Sequence, residues 1–204
     1  MDVSILSTYD IGIDVENSIL EAFNSLKSRY LVKFDTEFSF DITEFSAFCN
    51  NALNYFGPVI KITIGDNSFY VCFIELILPQ MGKGSSIALN YQIWGSLNLK
   101  KKSPHILIRT ETFLDKIHEL INPIELDFPD DNKFSRKFFV LTEDKEKAEV
   151  FLNSSLRNSI IEIEEKEILI EIKNSRLLIG NQKSLSTDFV IEISKFLSKL
   201  SKIY

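Results

Sequence analysis

Between Val59 and Glu111 the chain passes through four apolar runs, "VIKITIG", "FYVCFIELIL", "IALNYQIWGSLNL" and "HILIRTE", with short connections between them. Parallel neighbours need crossovers of about a dozen residues or more, so runs this close together pair antiparallel. "DNS" predicts a hairpin turn between the first two, and "PQMGKGSS" predicts a loop before the third. Lys100, Lys101 and Lys102 predict a solvated turn between the last two. The expectation is an antiparallel sheet with one face covered.

On either side of this block the period changes. Val15, Ile19, Ala22, Phe23 and Leu26 recur at three- and four-residue steps, which predicts a helix from an Asp14 N-cap. "VKFDTEFSFD" reads as a short strand or a linker. Phe45, Phe48, Cys49 and Ala52 predict a second helix over 43–56, stopped by Gly57-Pro58. "TFLDKIHELI" predicts a short helix, and "IELDF" a brief strand. In "FSRKFFVLTEDKEKAEVFL", residues 138–141 predict a strand and Thr142 the cap of a helix that turns Ala148, Phe151 and Leu152 inward. The charges of this stretch are then a wet helix face. "KEILIEIKNSRLLIG" predicts a hairpin with its turn at Asn174-Ser175, and 187–203 predicts a last helix. The fold class expected is α+β, antiparallel sheet built from hairpins with helices packed on one side, as one domain over 1–204 with 1–120 and 121–204 as sub-structure.

Composition narrows the function. The net charge of −6 repels phosphate backbones, so nucleic acid is not an expected partner. No run approaches the ~18 apolar residues of a membrane span. The first residues lack the basic start and apolar core of a signal peptide, so the expected location is cytoplasmic. Abundant Ile, Asn, Lys and Ser lean towards an AT-rich bacterial source.

The motifs that could carry chemistry are incomplete. "MGKGSS" at 81–86 lacks a P-loop's first glycine, since Ile77 stands there, and Gly84 follows Lys83 where Ser or Thr belongs. Cys49 and Cys72 belong to no C-x-x-C pair, and both read as buried, unpaired structural thiols. His105 and His118 stand at no metal-ligand spacing and read as surface imidazoles. A Cys–His dyad is open only through tertiary contact. Asp127, Asp130, Asp131 and Asn132 have the oxygen chemistry of a cation loop but not EF-hand spacing, and a proline turn with solvated acids explains them. Lys195, Lys199 and Lys202 form a basic stripe on the last helix, read as a wet face opposite an apolar one. No catalytic, cofactor-binding or metal residue is therefore expected, and no cofactor.

The pattern F-x-x-x-F-x-V-x-x-x-D-x-x-x-A, carried here by Phe134, Phe138, Val140, Asp144 and Ala148 and followed by the hairpin "ILIEIKNSRLLIG", resembles a family of uncharacterised bacterial domains. Many members follow a pair of transmembrane helices, which this chain does not show. The likeness covers about the last two-thirds of the chain and implies no catalytic residue. The function expected is a non-catalytic interaction or scaffold domain with a protein partner. The alternative is an enzyme of hydrolase type using carboxylates such as Asp130, Asp131 or Glu111.

Overall fold

Every strand pairing is antiparallel, and all of them belong to one sheet. The computed structural model describes residues 3–48, 53–79, 87–110, 124–181, 183 and 185–204. Its strands are β1 (Leu31–Phe34), β2 (Leu53–Ile64), β3 (Asn67–Pro79), β4 (Ile87–Asn98), β5 (Ile106–Thr110), β6 (Ile124–Glu125), β7 (Phe138–Thr142), β8 (Leu169–Lys173) and β9 (Arg176–Gly180). They lie in the order β1-β2-β3-β4-β9-β8-β5-β7-β6. The loop 80–86, the predicted helix 112–121, Cys49, Ala52, Glu111 and His118 fall outside the described residues.

Two hairpins follow directly from turn chemistry. Ile64 pairs with Asn67, leaving Gly65-Asp66 as a two-residue loop, and Gly65 takes φ +57°, which glycine adopts at no steric cost. Lys173 pairs with Arg176 across Asn174 (φ 51°) and Ser175 (φ 60°), the two left-handed residues of a type I′ turn. The lysine-bearing connection is not a hairpin turn, because the β8–β9 hairpin lies between β4 and β5. It passes over that hairpin's tip: the Leu99 amide donates to Ser175 O at 2.7 Å and the Lys100 amide to Tyr204 O at 3.0 Å. One sheet thus threads both halves of the chain, since β5 pairs with β7 and β8.

The helices α1 (Ile13–Lys27), α2 (Asn132–Ser135), α3 (Lys145–Phe151), α4 (Ser154–Ile161) and α5 (Thr187–Leu200) all contribute to the core on one face of the sheet. Helix α1 buries Ile19, Ala22, Phe23 and Leu26. Its N-cap is Gly12, without a side-chain cap, so Asp14 acts within the first turn and not as the cap. Helix α5 lies directly on β4 at Gly95, where a Cβ would stand 2.3 Å from Ile193 Cγ2.

Two local expectations are corrected. The helix expected over 43–56 is not formed by its described residues. Ile42–Glu44 is a single 3-10 turn, and Leu53 already belongs to β2, with a bulge between Phe56 and Val59. Gly57 sits in that bulge, where a Cβ would stand 2.7 Å from Phe73 O, so the glycine serves close approach and stops no helix. Phe45 and Phe48 are inward as expected, but short turns aim them. The cap of α3 is Asp144, whose carboxylate accepts from the Lys147 amide at 3.1 Å. Thr142 instead donates its hydroxyl to His105 O at 2.8 Å and accepts from the Asp144 amide, tying β7 to the approach of β5.

Candidate functional site

The face of the sheet away from the helices carries Val59, Cys72, Ile74, Trp94, Leu107 and Leu178, all buried. No helix covers it. The cover is a strap, residues 35–48, that contributes no strand to the sheet. Its rings make most of the contact. Phe38 stacks on Tyr70 at 3.7 Å, Phe48 meets Trp94 edge-on at 4.8 Å, and Phe40 packs against Phe45 and Phe56. Trp94 is seated flat on Gly180, where any Cβ would fall 2.3 Å from the indole.

A carboxylate stands in the middle of this apolar face. Glu171 of β8 is 0% exposed. The Ser46 amide donates to its Oε2 at 2.7 Å and the Ser46 hydroxyl to its Oε1 at 3.1 Å. His105 Nε2 lies 2.8 Å from the same Oε1, and His105 Nδ1 lies 3.7 Å from Glu143. A buried charge is tolerated when such partners surround it. His105 is accordingly not a surface imidazole: its side chain is 11% exposed and joins the strap anchor to the end of β7. The signal in the sequence was the lone acid inside "ILIEIK".

Serine, carboxylate and imidazole are the parts of a hydrolytic triad, but their order differs. In a triad the imidazole stands between hydroxyl and carboxylate, so that it can take the hydroxyl proton. Here the carboxylate stands between Ser46 and His105, so the imidazole has no proton to take from the serine. The geometry anchors the strap.

Beside this node, Arg176 of β9 lies under the strap. Its guanidinium sits 4.3 Å from the Phe40 ring centre and 5.3 Å from that of Phe38, and Nη1 donates to Ser96 Oγ at 3.1 Å. Burial holds it below its ordinary pKa. Lys173 Nζ donates to Glu44 O at 2.8 Å, and Asn174 Nδ2 to Glu44 Oε2 at 2.9 Å. Cys72 forms no disulfide, and burial pushes its thiol far above the ordinary range, so it is a poor nucleophile.

The aspartates considered as cation ligands or catalytic acids are held elsewhere, among the helices. Arg157 of α4 reaches Asp130 at 2.7 Å and Asp131 at 2.9 Å, donates to Leu152 O, and lies over the Phe128 ring. Asp131 also caps α2 by accepting from the Phe134 amide. Two open grooves flank α5. One, of about 830 Å³, runs between α4, α5 and the end of α1. The other, of about 450 Å³, lies between α1 and α5 over Phe73 and Ile93. Lys195 and Lys199 of the lysine stripe border the larger one, with Lys199 paired to Glu162. The apolar face of α5 lies on the sheet, so it has no side to offer a bilayer. Among the described residues no helix is long and apolar enough to cross a membrane, and no group of three or more His, Cys, Asp or Glu is placed to hold a metal ion.

Comparison with protein-family models, with curated proteins and with solved structures finds no match to this chain.

Proposed function

We propose that the chain is a non-catalytic interaction or scaffold domain acting on a protein partner. The observation that carries the reading is the order of the buried trio: Glu171 has both oxygens engaged by Ser46, and His105 faces the carboxylates of Glu171 and Glu143. A group so held positions a segment of chain, and His105 on the far side of the carboxylate does not stand where a triad's base would. Two of the carboxylates of the hydrolase alternative point the same way, since Asp130 and Asp131 face the guanidinium of Arg157; the third, Glu111, lies outside the described residues. The resemblance carried by Phe134, Phe138, Val140, Asp144 and Ala148 to uncharacterised bacterial domains, many of which follow a pair of transmembrane helices, fits a module that presents a surface to another protein.

Ester and peptide substrates, incubated with the wild type, Ser46→Ala and His105→Ala, give the test. The expected result is no turnover above buffer by any of the three. Turnover by the wild type that both substitutions abolish would replace the reading with a hydrolase.

A further inference from the structure

We propose that the open edge of β1 is an interface between two copies of this chain, which pair β1 against β1 antiparallel about a two-fold axis at Val32. The proposal goes beyond the interaction reading and does not depend on it.

Strand β1 is an outer strand of the sheet and pairs only with β2. One hydrogen bond fixes which of its backbone groups stay open. The Asp35 amide donates to Val59 O at 2.9 Å, and these two residues continue the β1–β2 register. Bonded and non-bonded pairs alternate along an antiparallel ladder, so Lys33 and Leu31 bond to β2 as Asp35 does. Val32 and Phe34 therefore turn their N–H and C=O groups outward. The neighbouring hairpin agrees. Ile64 and Asn67 close a two-residue loop, which needs a hydrogen-bonded pair, so Ile62 and Ile60 spend their groups on β3 and not on Val32 and Phe34.

A row of unpaired backbone groups is a template for another strand. The side chains favour a second copy, and in one register. Leu31 is 74% exposed and shares a face with Lys33, while Val32 and Phe34 lie on the helix side, Phe34 stacked on Phe23 of α1 at 4.5 Å. The outward groups allow three two-fold pairings. Centred on Lys33, the pairing sets that lysine directly against its own copy, which like charges oppose. Centred on Phe34, it meets Lys33 with Asp35 but leaves Leu31 opposite Glu37, where the chain has already left the sheet. Centred on Val32, it lays each Leu31 across from the aliphatic stem of the partner copy's Lys33 and diagonal to the other Leu31. It also brings Tyr30 across from Phe34 and the exposed Arg29 towards Asp35. This register takes both leucines out of water and sets opposite charges at its two ends, each contact made twice by the symmetry.

Sedimentation equilibrium of the full chain over a concentration series tests the proposal. The expected result is a monomer–dimer equilibrium. Val32→Pro removes an amide that β2 does not use, and edge strands tolerate proline, so the fold should hold while the dimer is lost. Leu31→Lys, at an exposed position, sets two lysines face to face twice per dimer and should weaken it roughly tenfold. Leu31→Lys combined with Lys33→Glu sets opposite charges at the same two places and should recover most of that loss. Should Val32→Pro fail to fold, the charge exchange carries the comparison by itself.

A chain that stays monomeric at every concentration would overturn the proposal and leave the edge to another protein's strand. A dimer that Leu31→Lys does not weaken would place the interface elsewhere and overturn it too. Failure of the charge exchange to restore the dimer would break the register, and with it the reason for choosing a second copy.

Discussion

The two faces of the sheet bury the same kind of side chain under different covers. On one face α1 and α5 satisfy their own backbone groups, so the sheet need offer only apolar surface, down to Gly95 beneath Ile193. On the other the cover is irregular, and its amides need acceptors from elsewhere. Asp35 Oδ1 takes the amides of Glu37 and Phe38 at 3.1 Å each, Asp41 Oδ1 takes that of Thr43, and Glu171 takes that of Ser46. An irregular segment laid on an apolar sheet therefore explains a buried carboxylate within it. Among the described residues, the polar groups of the strapped face answer to a cover that is not a regular α-helix.

Adjacent phenylalanines of β7 give the largest test of this contrast. Phe138 points to the helix side, 3% exposed and 5.2 Å from the Phe134 ring, while Phe139 points to the other side, half-buried beside Arg109. Phe138→Ala should cost ~3–5 kcal/mol through lost burial and the cavity left behind. Phe139→Ala should cost roughly 1 kcal/mol, because much less of its area leaves water on folding. Urea unfolding of the pair measures the difference, and equal costs would break the asymmetry.

Glu171→Gln probes the strapped face alone. An amide in place of the carboxylate keeps one acceptor and sets a donor towards either Ser46 or His105, at a cost of about 1–3 kcal/mol. Cys72 lies beneath the strap and reports its opening. A thiol reagent, followed at Cys72 by peptide mass, should leave the wild type unlabelled within minutes and label Glu171→Gln faster. Hydrogen exchange in α5 should not change. If α5 loosens equally, the two faces open as one unit and the contrast fails.

Legibility in the sequence divides along the same line. Helices α1 and α5, the hairpins β2–β3 and β8–β9, and the β7–α3 seam announce themselves, because an amphipathic period or a turn dipeptide is a local signal. The strap does not. Phe45 and Phe48 stand three apart, as on a helix, but the stripe belongs to 3-10 turns laid against Trp94, which is distant in sequence. Nor could the chain order show that β8–β9 inserts between β4 and β5, since that pairing joins segments some 80 residues apart. Of the candidate site, Ser46 and Glu171 lie 125 residues apart, so only a lone acid in an apolar strand hinted at it.

Asp131 extends the comparison to a charge pair on the helix side. Burial raises its pKa, but the hydrogen bonds from Arg157 and the Phe134 amide outweigh burial and hold the carboxyl below its ordinary value. A depressed pKa means stability that is present above the unfolded-state value and lost as pH falls through the folded one. Unfolding free energy should therefore decline on acidification below the ordinary Asp range, ~4. Asp131→Asn keeps a capping oxygen but loses the charge. It should cost roughly 1 kcal/mol at pH 7 and flatten that decline. An unchanged acid limb would mean that the pair adds nothing.

The smallest effects belong to the charges of "TEDKEKAEV", which lie on α3 outside both covers. Lys145 Nζ is 3.9 Å from Glu149 in an i,i+4 pair, with side chains 55% and 46% exposed. Water and salt screen such a pair, and ordering two long side chains offsets what attraction remains. Glu146 is exposed in the first turn, where the helix dipole favours an acid by a few tenths of a kcal/mol. Lys145→Ala and Glu146→Ala should each shift stability by no more than ~0.5 kcal/mol, with alanine's helix propensity offsetting part of the loss. Their urea midpoints should nearly overlay the wild type, with unchanged slopes. If either substitution costs as much as Glu171→Gln, α3 is held by its charges. Burial of Ala148 and the Asp144 cap would then not suffice to fix it on the sheet.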